Sequence, residues 1–294
     1  MTITAESGAS KTDWVVDARQ IRTKGINFSV MSYDDISSVV ACVANEIRDS
    51  FHFDIARNIP VCVNFYGAGL VSDENRRTMA GILEDFFPGA SIECASDLLA
   101  AARALWGDEP GIVAILGTGS NSCSYNGRSI TGNIRPGGYI LGDEGGGASL
   151  GRRFLSDYIK NLVPERVADK FRSQFPLRYP DIVEAVYKGP NPAGFLASFA
   201  PMIIGMADRD SYCERILKEN LEAFVTRSLL PYRIAGAQMR VGVVGSIGLA
   251  CSGWLQEIGG RYGIEFCKYI SAPIDSLADY HSRKNSNFAS GFRR

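Results

Sequence analysis

A surplus of either charge is missing from this sequence: 31 Lys and Arg face 32 Asp and Glu, a net charge of −1 over 294 residues. A protein that grips nucleic acid by releasing counterions carries a basic excess, so neither nucleic acid nor an anionic membrane is an expected partner. Paired cysteines are missing too. Cys42, Cys62, Cys94, Cys123, Cys213, Cys251 and Cys267 occur singly, mostly in apolar stretches, with no C-x-x-C pair and no histidine close by. They read as buried, reduced thiols in a cytoplasmic protein. The only histidines, His52 and His281, are too isolated for a metal cluster or a Ser-His-Asp triad and read as structural or exposed. No apolar run has the length of a membrane span, and none near the start has that of a signal peptide. The sequence also has no G-x-x-x-x-G-K-[ST] loop, no H-R-D or D-F-G, and no complete G-x-G-x-x-G after a strand. P-loop, protein-kinase and Rossmann readings therefore lose their motif support.

What is present is apolar material, 46% of the chain, at a length where one core gives way to two. The same kind of turn also occurs twice. Residues 6–12 (E-S-G-A-S-K-T) and 116–122 (L-G-T-G-S-N-S) each combine glycine with hydroxyl side chains at the end of an apolar stretch. Glycine permits positive φ and close approach of a ligand to the backbone, while bared N–H groups and hydroxyls offer donors to anionic oxygens. One such turn is ordinary; two in matching contexts suggest a phosphate clamp.

Around the first turn the pattern predicts strands at 2–7, 12–18 and 20–27, followed by a helix at 33–51 with Ile36, Val39, Val40, Val43, Ile47 and Phe51 at helical spacing. A strand at 60–66, a helix at 73–87, a strand at 90–94 and a helix at 97–106 follow, the last capped by Ser96 or Asp97. Gly107 and Pro110 end this first domain, expected at 1–108, with a second at 109–294. The second opens with a strand at 111–116, turns at Asn126-Gly127 as a type I′ hairpin into 129–134, and carries a helical insertion at about 147–232. A strand at 240–244, a glycine turn and further helices complete it, and the last helix, from about 274, is placed to pack back on the first domain.

In this order the segments resemble the sugar kinase, Hsp70 and actin ATPase superfamily, and more closely the N-acetylglucosamine kinase branch of the BadF/BadG/BcrA/BcrD ATPase family. Residues 7–14 (S-G-A-S-K-T-D-W) resemble that branch's first phosphate motif and 116–122 its second. Residues 137–145 (G-G-Y-I-L-G-D-E-G) resemble its sugar-site segment, and 243–248 (V-V-G-S-I-G) its adenosine segment. The resemblance implies an α/β protein with two ribonuclease-H-like, actin-like ATPase domains flanking a nucleotide cleft, with ATP, Mg²⁺ and an amino sugar as ligands and homodimers common. It implies that Ser10, Lys11 and Thr12 surround the β- and γ-phosphates, that Gly117, Thr118, Gly119 and Ser120 take the other side, and that Gly245 and Ser246 lie along the nucleoside. It further implies Asp97 as general base and sugar ligand, Asn27, Gly138, Tyr139 and Asp143 at the sugar, and Gly67 and Ala68 as a pocket wall.

Read alone, several of these residues have plainer roles. Asp97 is a good helix N-cap, Asn27 a turn former, and Asp143-Glu144 an acidic turn, although six glycines within residues 137–147 favour close approach of a ligand. One position departs from the family. Glu6 stands where the family has an Asp that helps to hold Mg²⁺ through water, and the extra methylene moves a carboxylate by over about 1 Å. Either Glu6 still serves the metal, or it marks a strand end and Asp13 or Asp17 compensates. The expected function is an ATP-dependent kinase that converts N-acetylglucosamine to its 6-phosphate. The alternatives are a nucleotide or sugar sensor without turnover, suggested by Glu6, and an ATPase activator of a radical dehydratase, which the scattered cysteines disfavour.

Overall fold

The computed structural model describes residues 1–8, 11–28, 31–51 and 61–291, so that Ser10 and His52 lie outside the described residues. The chain forms two compact units, Met1–Asp108 together with Pro273–Arg294, and Glu109–Ala272.

In the first unit, strands β1 (Thr2–Ser7), β2 (Lys11–Val16) and β3 (Arg19–Lys24) form an antiparallel meander, followed by α1 (Tyr33–Phe51), β4 (Cys62–Gly67), α2 (Asp73–Phe86), β5 (Ser91–Ser96) and α3 (Asp97–Trp106). The sheet order is β3-β2-β1-β4-β5, with β4 parallel to β1 and β5 parallel to β4. Alternation along β1 and β4 sends Ile3, Ala5, Val63 and Phe65 to one face, where they meet Val39, Val43 and Ile47 of α1 and Met79, Ile82 and Leu83 of α2. Trp14 is fully buried in this core, its ring 5.6 Å from that of Phe65 and its Nε1–H donated to Thr23 Oγ1 at 3.1 Å. The ring thus buries a large area without stranding its polar atom.

The second unit repeats the plan. Strands β6 (Pro110–Leu116), β7 (Ser120–Asn126) and β8 (Ile130–Ile134) lead into helices α4 (Gly138–Leu141), α5 (Gly147–Tyr158), α6 (Glu165–Gln174), α7 (Tyr179–Tyr187), α8 (Pro192–Ala197), α9 (Ala200–Ala207) and α10 (Ser211–Phe224). Then come β9 (Met239–Val244), α11 (Ser246–Ala250), α12 (Ser252–Arg261) and β10 (Ile264–Ile270). The order β10-β9-β6-β7-β8 is that of the first sheet, element for element, with β9 parallel to β6 and β10 parallel to β9. An aromatic cluster of Phe154, Phe171, Phe175 and Phe199, with ring centroids 4.9–5.4 Å apart, joins the helices of the insertion.

Three details differ from the sequence pattern. Strand β10 completes the sheet where the pattern assigned none, because a bulge between Phe266 and Lys268 breaks its alternation. The β7–β8 turn places Gly127, at φ 90°, as its first central residue, with the Asn126 N–H donating to the Ser129 carbonyl at 3.2 Å. That is the type II′ position for glycine, one residue out of step with the type I′ reading. Cys42 is exposed rather than buried, whereas Cys213 and Cys251 are buried and their thiols are pushed up to about 12, chiefly by burial.

The final helix, α13 (Ile274–Gly291), belongs to the first unit and covers the polar face of its sheet. His281, only 6% exposed, lies with Nε2 2.7 Å from the Tyr66 hydroxyl, and Arg103 Nη1 donates to that hydroxyl and, at 2.7 Å, to Glu93. Burial, then the positive charges of Arg103 and Lys284, lower the His281 pKa to about 4 from its ordinary 6.5. A histidine depressed in this way supports the fold fully above pH 6.5, and that support is lost as pH falls toward 4, by up to about 3 kcal/mol. Between pH 7 and pH 4.5 the melting temperature is therefore expected to fall further for the wild-type protein than for His281→Gln; equal falls would contradict the buried neutral imidazole. Among the described residues no helix is long and apolar enough to cross a membrane.

Candidate functional site

Pairing of Ser7 with Gly67 and of Gly67 with Ser96 sets the carboxyl ends of β1, β4 and β5 level. The space beyond such ends is where open α/β sheets bind ligands. The chain continues from them as Gly8, Ala68 and Asp97. Ser96, not Asp97, caps α3: its Oγ accepts the Leu99 N–H at 3.3 Å. The Asp97 carboxylate is thereby left at the strand end, where among the described residues it accepts only backbone N–H groups, that of Leu98 at 2.9 Å. Burial raises its pKa, and those hydrogen bonds oppose the rise.

The first hairpin is organised from inside. Ser7 Oγ lies 2.7 Å from Thr12 Oγ1, donates to the Ile26 carbonyl at 3.1 Å and accepts the Ile26 N–H at 2.8 Å, while Thr12 Oγ1 donates to the Lys24 carbonyl at 3.1 Å. Thr12 is fully buried, so its hydroxyl serves the base of the hairpin, and outward contacts fall to the backbone and to Lys11. The same Ser7 contacts hold Asn27, which follows Ile26, at this end of the sheet.

Glu6 lies beside Asp13 in the β1–β2 register, and among the described residues no hydrogen bond reaches its carboxylate. Burial, then the charges of Asp97 and Asp13, push its pKa up to about 7 against the pull of Lys11. Asp13 differs. Burial works against its charge, yet Lys11 at 2.5 Å and Arg22 at 2.6 Å outweigh it and hold its carboxyl below the usual range. Asp17 sits at the opposite end of β1, its Oδ1 accepting the Thr2 N–H at 3.0 Å, and is therefore not placed to compensate for Glu6.

In the second unit the G-T-G-S and G-D-E-G segments fold onto each other. The Gly147 and Ala148 N–H groups, opening α5, donate to the carbonyls of Gly117 and Thr118, each at 2.8 Å. Asp143, at φ 57° and only 8% exposed, accepts the Ser120 N–H. A Cβ on Gly119 would lie 2.6 Å from Asp143 Oδ2, and one on Gly146 would lie 2.7 Å from the Gly119 carbonyl carbon. Burial raises the Asp143 pKa, opposed by the Ser120 N–H, with Glu144 adding to the rise and Arg152 reducing it. Gly245, at φ 116°, closes on the Leu116 carbonyl so tightly that no Cβ would fit, which sets Ser246, exposed, beside the start of the hairpin. Thr118 is exposed, Gly138 is exposed at φ 74°, and Tyr139 is half-buried against the core of the unit. Ser120, Gly119 and Asp143 thus meet directly, whereas Gly138 and Tyr139 stand on α4 apart from that contact.

A candidate N-acetylglucosamine kinase of Porphyromonas gingivalis is 33% identical to this chain over 97% of it and 100% of its own length, with a TM-score of 0.87. The chain belongs to the N-acetylglucosamine kinase-like family of carbohydrate kinases. A second candidate of that kind, from Chromobacterium violaceum, is 18% identical over 95% of this chain and 98% of its own, with a TM-score of 0.70. A ROK-family glucokinase of Streptomyces griseus, in complex with glucose and AMPPNP, is 14% identical over 95% and 98% of the two chains, with a TM-score of 0.51. These more distant structures share the two-domain, actin-like ATPase fold. No family model matches the sequence, and no curated protein matches it significantly.

The turn at residues 144–146 is held by residues that the motifs do not contain. Asn220 bonds Gly145 and Gly146, and Arg227 pairs with Glu144 at 2.7 Å. Both lie among other polar residues, Asn220 after Lys218 and Glu219 and Arg227 between Thr226 and Ser228, and carry no sequence signal of their role.

Two measurements follow. Gly119→Ala is expected to cost about 1–3 kcal/mol by overpacking, and less in an Asp143→Ala background; equal costs in denaturant titrations of the two would disprove the close approach. For Glu6, whose pKa is raised, the carboxyl leaves the fold unharmed below its ordinary value of 4.5 and weakens it as pH rises through about 7. Glu6→Gln should therefore melt above wild type at pH 8 in metal-free buffer and converge with it toward pH 4.5; coincident curves at pH 8 would refute the charge cluster.

Proposed function

We propose that the protein is a cytoplasmic kinase of the BadF-type branch that transfers the γ-phosphoryl group of ATP to the primary hydroxyl of N-acetylglucosamine, giving the 6-phosphate. One observation carries the reading: with Ser96 capping α3, the Asp97 carboxylate is left at the level carboxyl ends of β1, β4 and β5, beside the first glycine hairpin. Asp97 takes the proton of the sugar hydroxyl as its oxygen attacks the γ-phosphorus and the bridging oxygen leaves with ADP. Burial helps, since it raises the basicity of the carboxylate.

Phosphoryl transfer asks mainly for positioning and for stabilisation of charge on the phosphate oxygens. Lys11 and the backbone N–H groups of the first hairpin would orient the β- and γ-phosphates, with Ser10 beside them and Thr12 holding the hairpin from behind. Gly117, Thr118, Gly119 and Ser120 would supply the second set of donors, and Gly245 and Ser246 would border the nucleoside. Asn27, Gly138, Tyr139 and Asp143 would hold the sugar hydroxyls.

The residues present fit Mg²⁺. It favours oxygen donors, keeps several waters and takes other ligands from phosphate, so one carboxylate in a surplus of negative charge suits it. Glu6 provides that carboxylate, and among the described residues no group of three or more His, Cys, Asp or Glu could by itself hold a metal. When bound, the ion would neutralise charge on the β- and γ-oxygens.

The test is sugar-dependent ADP release from Mg-ATP over a panel of hexoses and amino sugars. N-acetylglucosamine should be the preferred acceptor, and Asp97→Asn should remain folded but turn over about 10²- to 10⁴-fold more slowly. No turnover with any sugar, with calorimetry still detecting ATP and sugar, would favour the sensor.

A further inference from the structure

The turn that carries Asp143 and Glu144 continues through Gly145, Gly146 and Gly147, so it has no side chains of its own to fix it over that stretch. Its shape must be set from outside. The Asn220 side-chain amide spans it: Oδ1 accepts the Gly145 N–H at 3.1 Å and Nδ2 donates to the Gly146 carbonyl at 3.3 Å. One turn further along α10, Phe224 closes over Gly145, where a Cβ would lie 2.8 Å from the Phe224 Cβ. The helix then widens into a π-helical segment, Val225–Leu229. Within it Arg227 Nη1 pairs with Glu144 Oε1 at 2.7 Å, and the Ser228 carbonyl accepts the hydroxyl of Ser122, on β7, at 2.8 Å.

A π-turn is a rare geometry and is found frequently at functional sites. Each extra residue shifts the helical phase by about 100°, so a regular α-helix would not aim both Arg227 and Ser228 at these partners. The clamp reaches the second hairpin in one step, because Gly146 backs directly onto Gly119 and Asp143 accepts the Ser120 N–H.

We infer that Asn220 and Arg227 are positioning residues that hold residues 117–120 in the shape that receives phosphate, an inference that rests on the phosphate role proposed above for that hairpin. They touch neither phosphate nor sugar. Their effect passes through the glycine turn to the hairpin N–H groups.

Asn220→Asp keeps the acceptor toward Gly145 but replaces the donor toward Gly146 with a carboxylate beside Asp143 and Glu144, whereas Asn220→Ala removes both. In either variant KM for Mg-ATP should rise about ten- to a hundredfold, and by clearly more than KM for the sugar, which Asp143 on the same turn also serves. Arg227→Glu should weaken ATP use in the same way, and adding Glu144→Arg should restore it by reversing the pair. A readout free of catalysis accompanies these: amide hydrogen exchange at residues 117–120 should quicken in the Asn220 variants while the melting temperature is largely kept. Should Asn220→Ala fail to fold, Arg227→Gln supplies the same readouts. Unchanged exchange at the hairpin in folded variants, or parallel rises in both KM values, would overturn the inference. A wild-type protein without sugar-dependent turnover, but with the exchange response, would defeat the proposed function and leave the clamp standing.

Discussion

Two backbone segments in the second unit approach so closely that neither has room for a side chain, and the ligand end of that unit depends on the approach. Gly119 and Gly146 face each other across a gap that a single Cβ would close, and the Asp143 carboxylate occupies the space a residue-119 side chain would fill. Such contact places N–H groups and carbonyls of different segments within bonding reach, as for Gly147 with Gly117 and Ala148 with Thr118. A surface assembled from backbone donors can meet phosphate oxygens without moving, and that lack of reorganisation is what gives such donors their value in catalysis. The first unit uses a side chain for the same purpose: the buried Ser7 hydroxyl joins Thr12 and Ile26, and through them fixes the hairpin and Asn27.

Electrostatics sets the two units apart. In the first, Asp13 is neutralised by two cations, while among the described residues Glu6 and Asp97 make no ion pair, and their mutual repulsion outweighs the pull of Lys11 on Glu6. An apolar replacement would relieve that repulsion, so its persistence is intelligible if a base and a cation ligand are both needed there. In the second unit the negative charge of Glu144 is met by Arg227, and the Asp143 carboxylate accepts the Ser120 N–H. The two units therefore carry different charge arrangements on the same strand order.

Much of this organisation was legible in the chain. Apolar alternation and helical spacing predicted the strands and helices that frame Ser7 and Leu116, because burial of one face imposes those periods directly. Glycine with hydroxyl residues marked both hairpins, since few other compositions allow such backbone. The pattern failed where an irregularity intervened: at β10, whose bulge interrupts alternation, and at Asn126-Gly127, where the Asn126 side chain accepts the N–H groups of Arg128 and Ser129 and draws the turn one residue along.

Local composition, acting over neighbours in the chain, by itself determined most of the secondary elements, the two glycine-and-hydroxyl turns and the identity of the acidic residue after β5. Tertiary structure alone decided which polar groups meet. That Thr12 turns inward and that Asn220 reaches Gly145 from 75 positions away are outcomes of hydrogen-bond competition between segments apart in the chain. Such competition is settled by geometry that no short stretch of sequence contains, because a buried donor takes whichever acceptor the packed core brings to it.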